Sequence, residues 1–164
     1  MSIKKALLIE LEREKENTKR VISRLPDHQF GYKPHEKSMT LGALANHIVE
    51  LHNWVDFVIN KDVFDFHIDY KPSTLTTTEE LLKVLDEGFE KNKAIIEEMD
   101  EQVVFENWSL HAGDHVIASM PKTAALRFIV TNHLIHHRGQ LTVYMRLLDI
   151  PVPGVYGPSA DDRA

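Results

Sequence analysis

Three histidines fall within five residues in the stretch NHLIHHRGQL, Asn132 to Leu141. Imidazole nitrogen is a good ligand for zinc, nickel, copper or ferrous iron. On a helix, residues four apart lie one turn apart and are rotated by only ~40°. His133 and His137 therefore project from one face and can close on one ion. A third imidazole, His47, sits between Leu44 and Leu51 in the stretch LGALANHIVELHNW. Two facing helices could bring all three to one interior point. Three protein ligands leave positions for water or substrate, which is the catalytic rather than the structural pattern. A metal held there could lower the pKa of bound water or bind a substrate thiol as thiolate. A His-x3-His pair alone is a weak signal in a chain with ten histidines, because a buried histidine is more often a hydrogen-bonded core residue. The third candidate, on another inward face, strengthens it.

The remaining histidines read differently. His136 would point about 60° from His133 and ~100° from His137, toward a neighbour or solvent. His52 lies off the face of His47. His111 and His115 are four apart, but Gly113 between them argues for a loop, and His28, His35 and His67 read as surface or loop residues. Arg138 points away from the ligand pair; an ion pair with an acidic neighbour is the simple reading, an anion contact at the site or a subunit interface the functional one. Gly139 lowers helix stability by ~1 kcal/mol relative to alanine and suggests close approach by another helix or backbone. Gln140 is either a donor behind a ligand or a polar interface residue. Trp54 and Tyr144 share the histidine faces as core aromatics, with lining of a pocket as the alternative.

Four helical segments must position these residues. The first runs from about Ile3 to Leu25, with Ile3, Leu7, Leu11, Thr18, Ile22 and Leu25 at threes and fours, and Pro26 ends it. The second begins near Thr40, where Ser38 or Thr40 can cap it, with the stripe Leu44, His47, Ile48, Leu51, Trp54, Val55 and Val58. The third opens at TTEE, where Thr77 and Glu80 have capping-box spacing. The fourth starts at Pro121 and reaches about Asp149, with the stripe Leu126, Val130, His133, His137, Leu141, Tyr144 and Leu148. Residues 100–120 hold two partly alternating runs around Gly113, a small hairpin or an ordered loop. Residues 26–39 and 61–77 are mixed connections with prolines. The pattern predicts an all-α chain built as a helical bundle.

Composition narrows the partners. The chain has 164 residues, enough for one domain with a sizeable core, and no linker divides it, so residues 1–164 read as a single domain. A formal net charge of −6 argues against a grip on nucleic acid or anionic lipid. There is no cysteine, so no disulfide or Cys-based zinc site is possible, and any thiol must arrive with a small molecule. The apolar patch near the N-terminus is interrupted at Glu10, too soon for a signal-peptide core, and no apolar run approaches ~18 residues. A soluble cytoplasmic protein is expected.

LGALANHIVELHNW, with His47, and the downstream NHLIHHRGQLTVYMRLLDIPVPGVYGPSADD together closely resemble the DinB family of DinB/YfiT-like metalloenzymes. The first helix and YKPHEKSMTLGAL are similar too, so the resemblance spans nearly the whole chain. It implies a four-helix bundle with long connections in up-down-down-up order, often a homodimer. The family metal triad falls on His47, His133 and His137, and members hold nickel or zinc. Some relatives are S-transferases or isomerases that use low-molecular-weight thiols such as bacillithiol or mycothiol; others are linked only to DNA damage by their induction. The resemblance thus implies a metal-dependent S-transferase acting on a small-molecule thiol. A metal-dependent hydrolase and a non-catalytic metal-binding stress protein are the alternatives. No catalytic side chain is assigned beyond a metal-bound water or substrate thiolate. Hydrolysis would need a general base, and Glu50 and Asp56 are only nominally close.

Overall fold

Hydroxyl side chains start the first three long helices. Ser2 accepts from the amide of Lys5, Thr40 from Ala43 and Thr77 from Glu80, and each supplies an acceptor that the first helical turn lacks. Glu80 bonds back to the Thr77 amide and completes the capping box. The structure, a computed structural model, describes residues 2–162. Among these residues the chain is mostly helical, with α1 (Ile3–Ile22), α2 (Leu41–Ile59) and α3 (Thr78–Glu98). α1 stops at Ile22, short of Leu25. The fourth long helix is composite: α4 (Lys122–Ala125), a π-helical stretch (Leu126–Thr131) and α5 (Asn132–Leu147) follow without a break. The Asn132 amide there donates to the carbonyl of Arg127, five residues back. Among the described residues no helix is long and apolar enough to cross a membrane.

The expectation of an all-α chain needs a correction. A three-stranded sheet, ordered β1 (Val63–Asp65), β2 (Asn107–Ala112) and β3 (His115–Pro121), packs against the helices. β2 and β3 pair antiparallel and turn at Gly113, whose φ of +60° suits glycine. β1 adds in parallel, Phe64 opposite Leu110. His111 and His115 accordingly stand on paired strands and not in a loop. Phe64, Trp108 and Leu110 turn inward onto Trp54, Val58 and Leu126, so the sheet is held by one apolar cluster. Buried Lys122 fastens the start of the fourth helix there, donating to the carbonyl of Ile59 at 3.1 Å.

A second apolar cluster gathers Ile22, Leu41, Leu44, Ile48, Leu85, Leu141 and Met145. A buried polar layer lies between the two. Along the chain, Glu14 and Thr18 fall between Leu11 and Val21, Asn92 between Leu85 and Ile96, and Arg138 between Leu134 and Leu141. Arg138 donates to Glu14 at 2.6 Å and to the Thr18 hydroxyl at 3.1 Å, and that hydroxyl lies 2.9 Å from Nε2 of His52. Asn92 donates to the His52 carbonyl at 2.6 Å. Burying ionised groups is unfavourable unless they are paired and hydrogen-bonded, and here both ions are.

Candidate metal centre

α2 and α5 bring the three predicted histidines together. The ring of His47 lies 5.1 Å from that of His133 and 4.9 Å from that of His137, centroid to centroid. One nitrogen of each ring is within 4.8 Å of the others, and the group could hold a metal ion. Nε2 of His133 and Nε2 of His137 are 2.8 Å apart. Two nitrogens on one tetrahedral ion stand about 3.3 Å apart, so small side-chain rotations would seat one.

The atoms behind the rings favour that arrangement. Nδ1 of His137 lies 2.7 Å from Oε1 of Gln140, and Nδ1 of His47 lies 3.2 Å from Oε2 of Glu50. An acceptor at Nδ1 takes the ring proton and leaves the Nε2 lone pair free for an ion. Burial, reinforced by the neighbouring rings of His137 and His47, brings the pKa of His133 down to about 4. Burial also lowers that of His137, with His47 and His136 acting in the same direction and Gln140 against them. Lowered values keep these rings neutral, the form that binds metal.

The helix face is not quite the one the spacing predicts. Leu126, Val130, Leu134, Arg138, Leu141 and Met145 are buried, whereas His133 and His137 are half-buried beside that stripe. The π turn is the reason. Its i→i+5 bonding takes in an extra residue, so the apolar face continues to 134 and 138 where an uninterrupted 3.6-residue period leads to 133 and 137. The histidines thereby sit at the flank facing α2, open on one side.

His136 is exposed and outside the triad, although its ring is 5.1 Å from that of His137. Arg138 makes the ion pair with an acidic neighbour, Glu14, and its guanidinium also donates to Tyr156 at 2.6 Å. Gly139 corrects its expectation: a side chain there would meet nothing within 4 Å. Among the helical glycines the close approaches are at Gly42, against Phe30, and at Gly88, against Asn53. Gln140 sits behind a candidate ligand. Trp54 is buried, its ring 6.3 Å from that of His47, and with Phe64, Phe66 and Tyr70 it forms an aromatic wall. Tyr144 lies edge-on to Tyr32 and donates to the carbonyl of Met39.

Glu50 plays a larger part than its sequence position suggests. Besides facing His47, its carboxylate accepts from the hydroxyl of Tyr70 at 2.9 Å and from the amide of Ser73. Burial, and then the carboxylate itself, pushes the Tyr70 hydroxyl up to about 12, so it stays a donor. Asp56 is taken by Lys91 and Asn60. The i,i+3 spacing of His47 and Glu50 was the available clue, but only the packing of residues 70–73 onto α2 completes the contact.

Three comparisons place the chain among known proteins. The uncharacterized protein YrdA of Bacillus subtilis (strain 168) is 26% identical over 157 residues, covering 93% of this chain and 87% of that protein. A crystallised DinB-like protein of Bacillus cereus ATCC 10987 is 27% identical, with a TM-score of 0.66 over 93% of this chain and 97% of that one. A second, the DinB-like protein YjoA of Bacillus subtilis, shares the fold, with a TM-score of 0.69 at 20% identity over 92% of this chain and 97% of that one. The DinB family model matches residues 1–164, and the chain belongs to the DinB family.

Proposed function

We propose that this protein holds one divalent ion, nickel or zinc, on His47, His133 and His137, and uses it to transfer a low-molecular-weight thiol to an electrophile. The convergence of three imidazoles on one point carries the reading. A bound ion supplies Lewis acidity, which stabilises a small thiol as its thiolate near neutral pH. The chain contributes three imidazole nitrogen donors, an aromatic wall at Trp54 and Tyr70, and one open side for substrate. It has no cysteine, so the sulfur comes with the small molecule. Glu50 and Asp56, the bases that hydrolysis would call on, are engaged by other donors, which favours transfer over hydrolysis.

In this reading the protein is a single-domain cytoplasmic homodimer, and its helices run up-down-down-up. Side-chain pairs support that order. Lys4 with Glu97 and Lys19 with Asp86 set α1 against α3 in opposite directions. Asn46 with Leu75 and Asn92 with His52 fit parallel α2 and α3. Tyr144 with Met39 and His133 with Trp54 fit antiparallel α2 and α5.

The first test is elemental analysis of protein purified without a metal column. His47→Ala, His133→Ala and His137→Ala should each lose the tightly bound ion and keep the helical circular dichroism, while His136→Ala keeps both. Equal metal content in all four variants refutes the assignment. The same samples, given a panel of low-molecular-weight thiols and monochlorobimane, should conjugate only when metal is bound. Ester or amide turnover without any thiol would favour hydrolysis instead, and metal binding without turnover a non-catalytic role.

A further inference from the structure

We infer that the connection between α2 and α3 is a working part of the metal centre, because Glu50 orients His47 and Tyr70 orients Glu50. The inference rests on the metal-binding reading above. Oε2 of Glu50 is shared by His47 Nδ1 at 3.2 Å and the Tyr70 hydroxyl at 2.9 Å. Oε1 accepts the Ser73 amide, which fixes the plane of the carboxylate. The Glu50 side chain is 12% exposed and that of His47 15%, so little water competes for these bonds. A carboxylate behind a ligand imidazole fixes its tautomer and ring orientation and raises its basicity.

The connection does not depend on Glu50 for its place. Asn46, one residue before His47, exchanges two hydrogen bonds of 2.9 Å with the backbone of Leu75. The Tyr70 ring packs at 5.9 Å from that of Trp54 and 5.7 Å from that of Phe66. Tyr70 is therefore delivered to Glu50 by contacts that survive loss of its hydroxyl. Glu50 and Tyr70 are positioning residues: neither has to touch the ion, and both act through the ring of His47.

The test measures affinity for Zn(II) and Co(II) by competition with a chromophoric chelator, together with the visible spectrum of the Co(II) form. Glu50→Gln should weaken binding about 10- to 100-fold and shift the Co(II) bands. Tyr70→Phe should weaken it several-fold, and should add nothing in the Glu50→Gln background, since it acts only through that carboxylate. Glu50→Asp should restore part of the affinity. Wild-type affinity and spectrum in both single variants overturn the inference, as does a Tyr70→Phe effect that persists undiminished without Glu50. If Glu50→Gln does not fold, the affinity and spectrum of Tyr70→Phe decide alone. His47→Ala separates the two levels: loss of metal there with no effect at Glu50 or Tyr70 removes only the positioning role, whereas full metal binding by His47→Ala removes the metal reading itself.

Discussion

His137 and Arg138 are adjacent, yet one faces the open flank and the other is 2% exposed inside the bundle. Side chains one residue apart on a helix diverge by about 100°, which lets one short motif serve a site and a core together. The ion pair of Arg138 was legible, because a buried guanidinium needs a carboxylate; the identity of Glu14, more than a hundred residues away, was not. Gly139 misled for a related reason. A helical glycine suggests close packing, but this one stands exposed beside the cleft formed by Arg138, Thr142 and Tyr156. Alanine there removes backbone freedom from the unfolded chain and meets no neighbour. Gly139→Ala should therefore stabilise the protein by up to about 1 kcal/mol, read from urea unfolding, with metal affinity unchanged. A destabilised variant would show that the small residue is needed after all.

Helix starts were the most legible elements, since caps act locally: the spacing of Thr77 and Glu80 announces one, and the hydroxyls of Ser38 and Thr40 narrowed another to the Thr40 that caps α2. β1 was not legible: three residues cannot show an alternating pattern, and its pairing to β2 spans more than forty residues. The π stretch left no sign either, because wide and ordinary turns use the same residue types. Its effect is mechanical. It keeps Ala125 and Leu126 in the core while His133 and His137 turn toward α2. Phe128, in that stretch, is 59% exposed and can be removed without opening a cavity. Deleting Phe128 should convert the turn to α geometry and keep Leu134 and Arg138 on the buried face, because the regular period then leads to them. Helical circular dichroism and metal affinity should both persist, with the melting temperature moving by no more than about 4 °C, the shift expected for about 1 kcal/mol. Loss of the metal or a large fall in melting temperature would mean that the wide turn does more than absorb one residue.

The whole molecule has a polar layer through its middle, and this ties stability to pH. Burial, assisted by the charges of Arg138 and Lys15, lowers the pKa of His52 to about 3. An unfolded histidine titrates near 6.5, so between these values the unfolded chain binds more protons. Stability therefore falls as pH drops below about 6.5, and the His52 contribution keeps falling toward pH 3. Metal-free protein followed by urea unfolding from pH 7 to 4.5, above most carboxylate titration, should lose stability steadily, and His52→Gln should flatten part of that slope. Equal slopes would place the titrating groups elsewhere, at His133 and His137. No composition rule would have predicted this layer, because histidine, threonine, asparagine and arginine became interior only once four helices met. The two tryptophans stand differently toward the triad. Trp54 meets two of its rings edge-on, while Trp108 is anchored by its indole N–H on the carbonyl of Phe57. The chain thus contains its own fluorophore within contact range of an arriving ion. Paramagnetic nickel or cobalt quenches such a neighbour and closed-shell zinc does not, so emission colour and intensity can report both occupancy and the identity of the ion without any label.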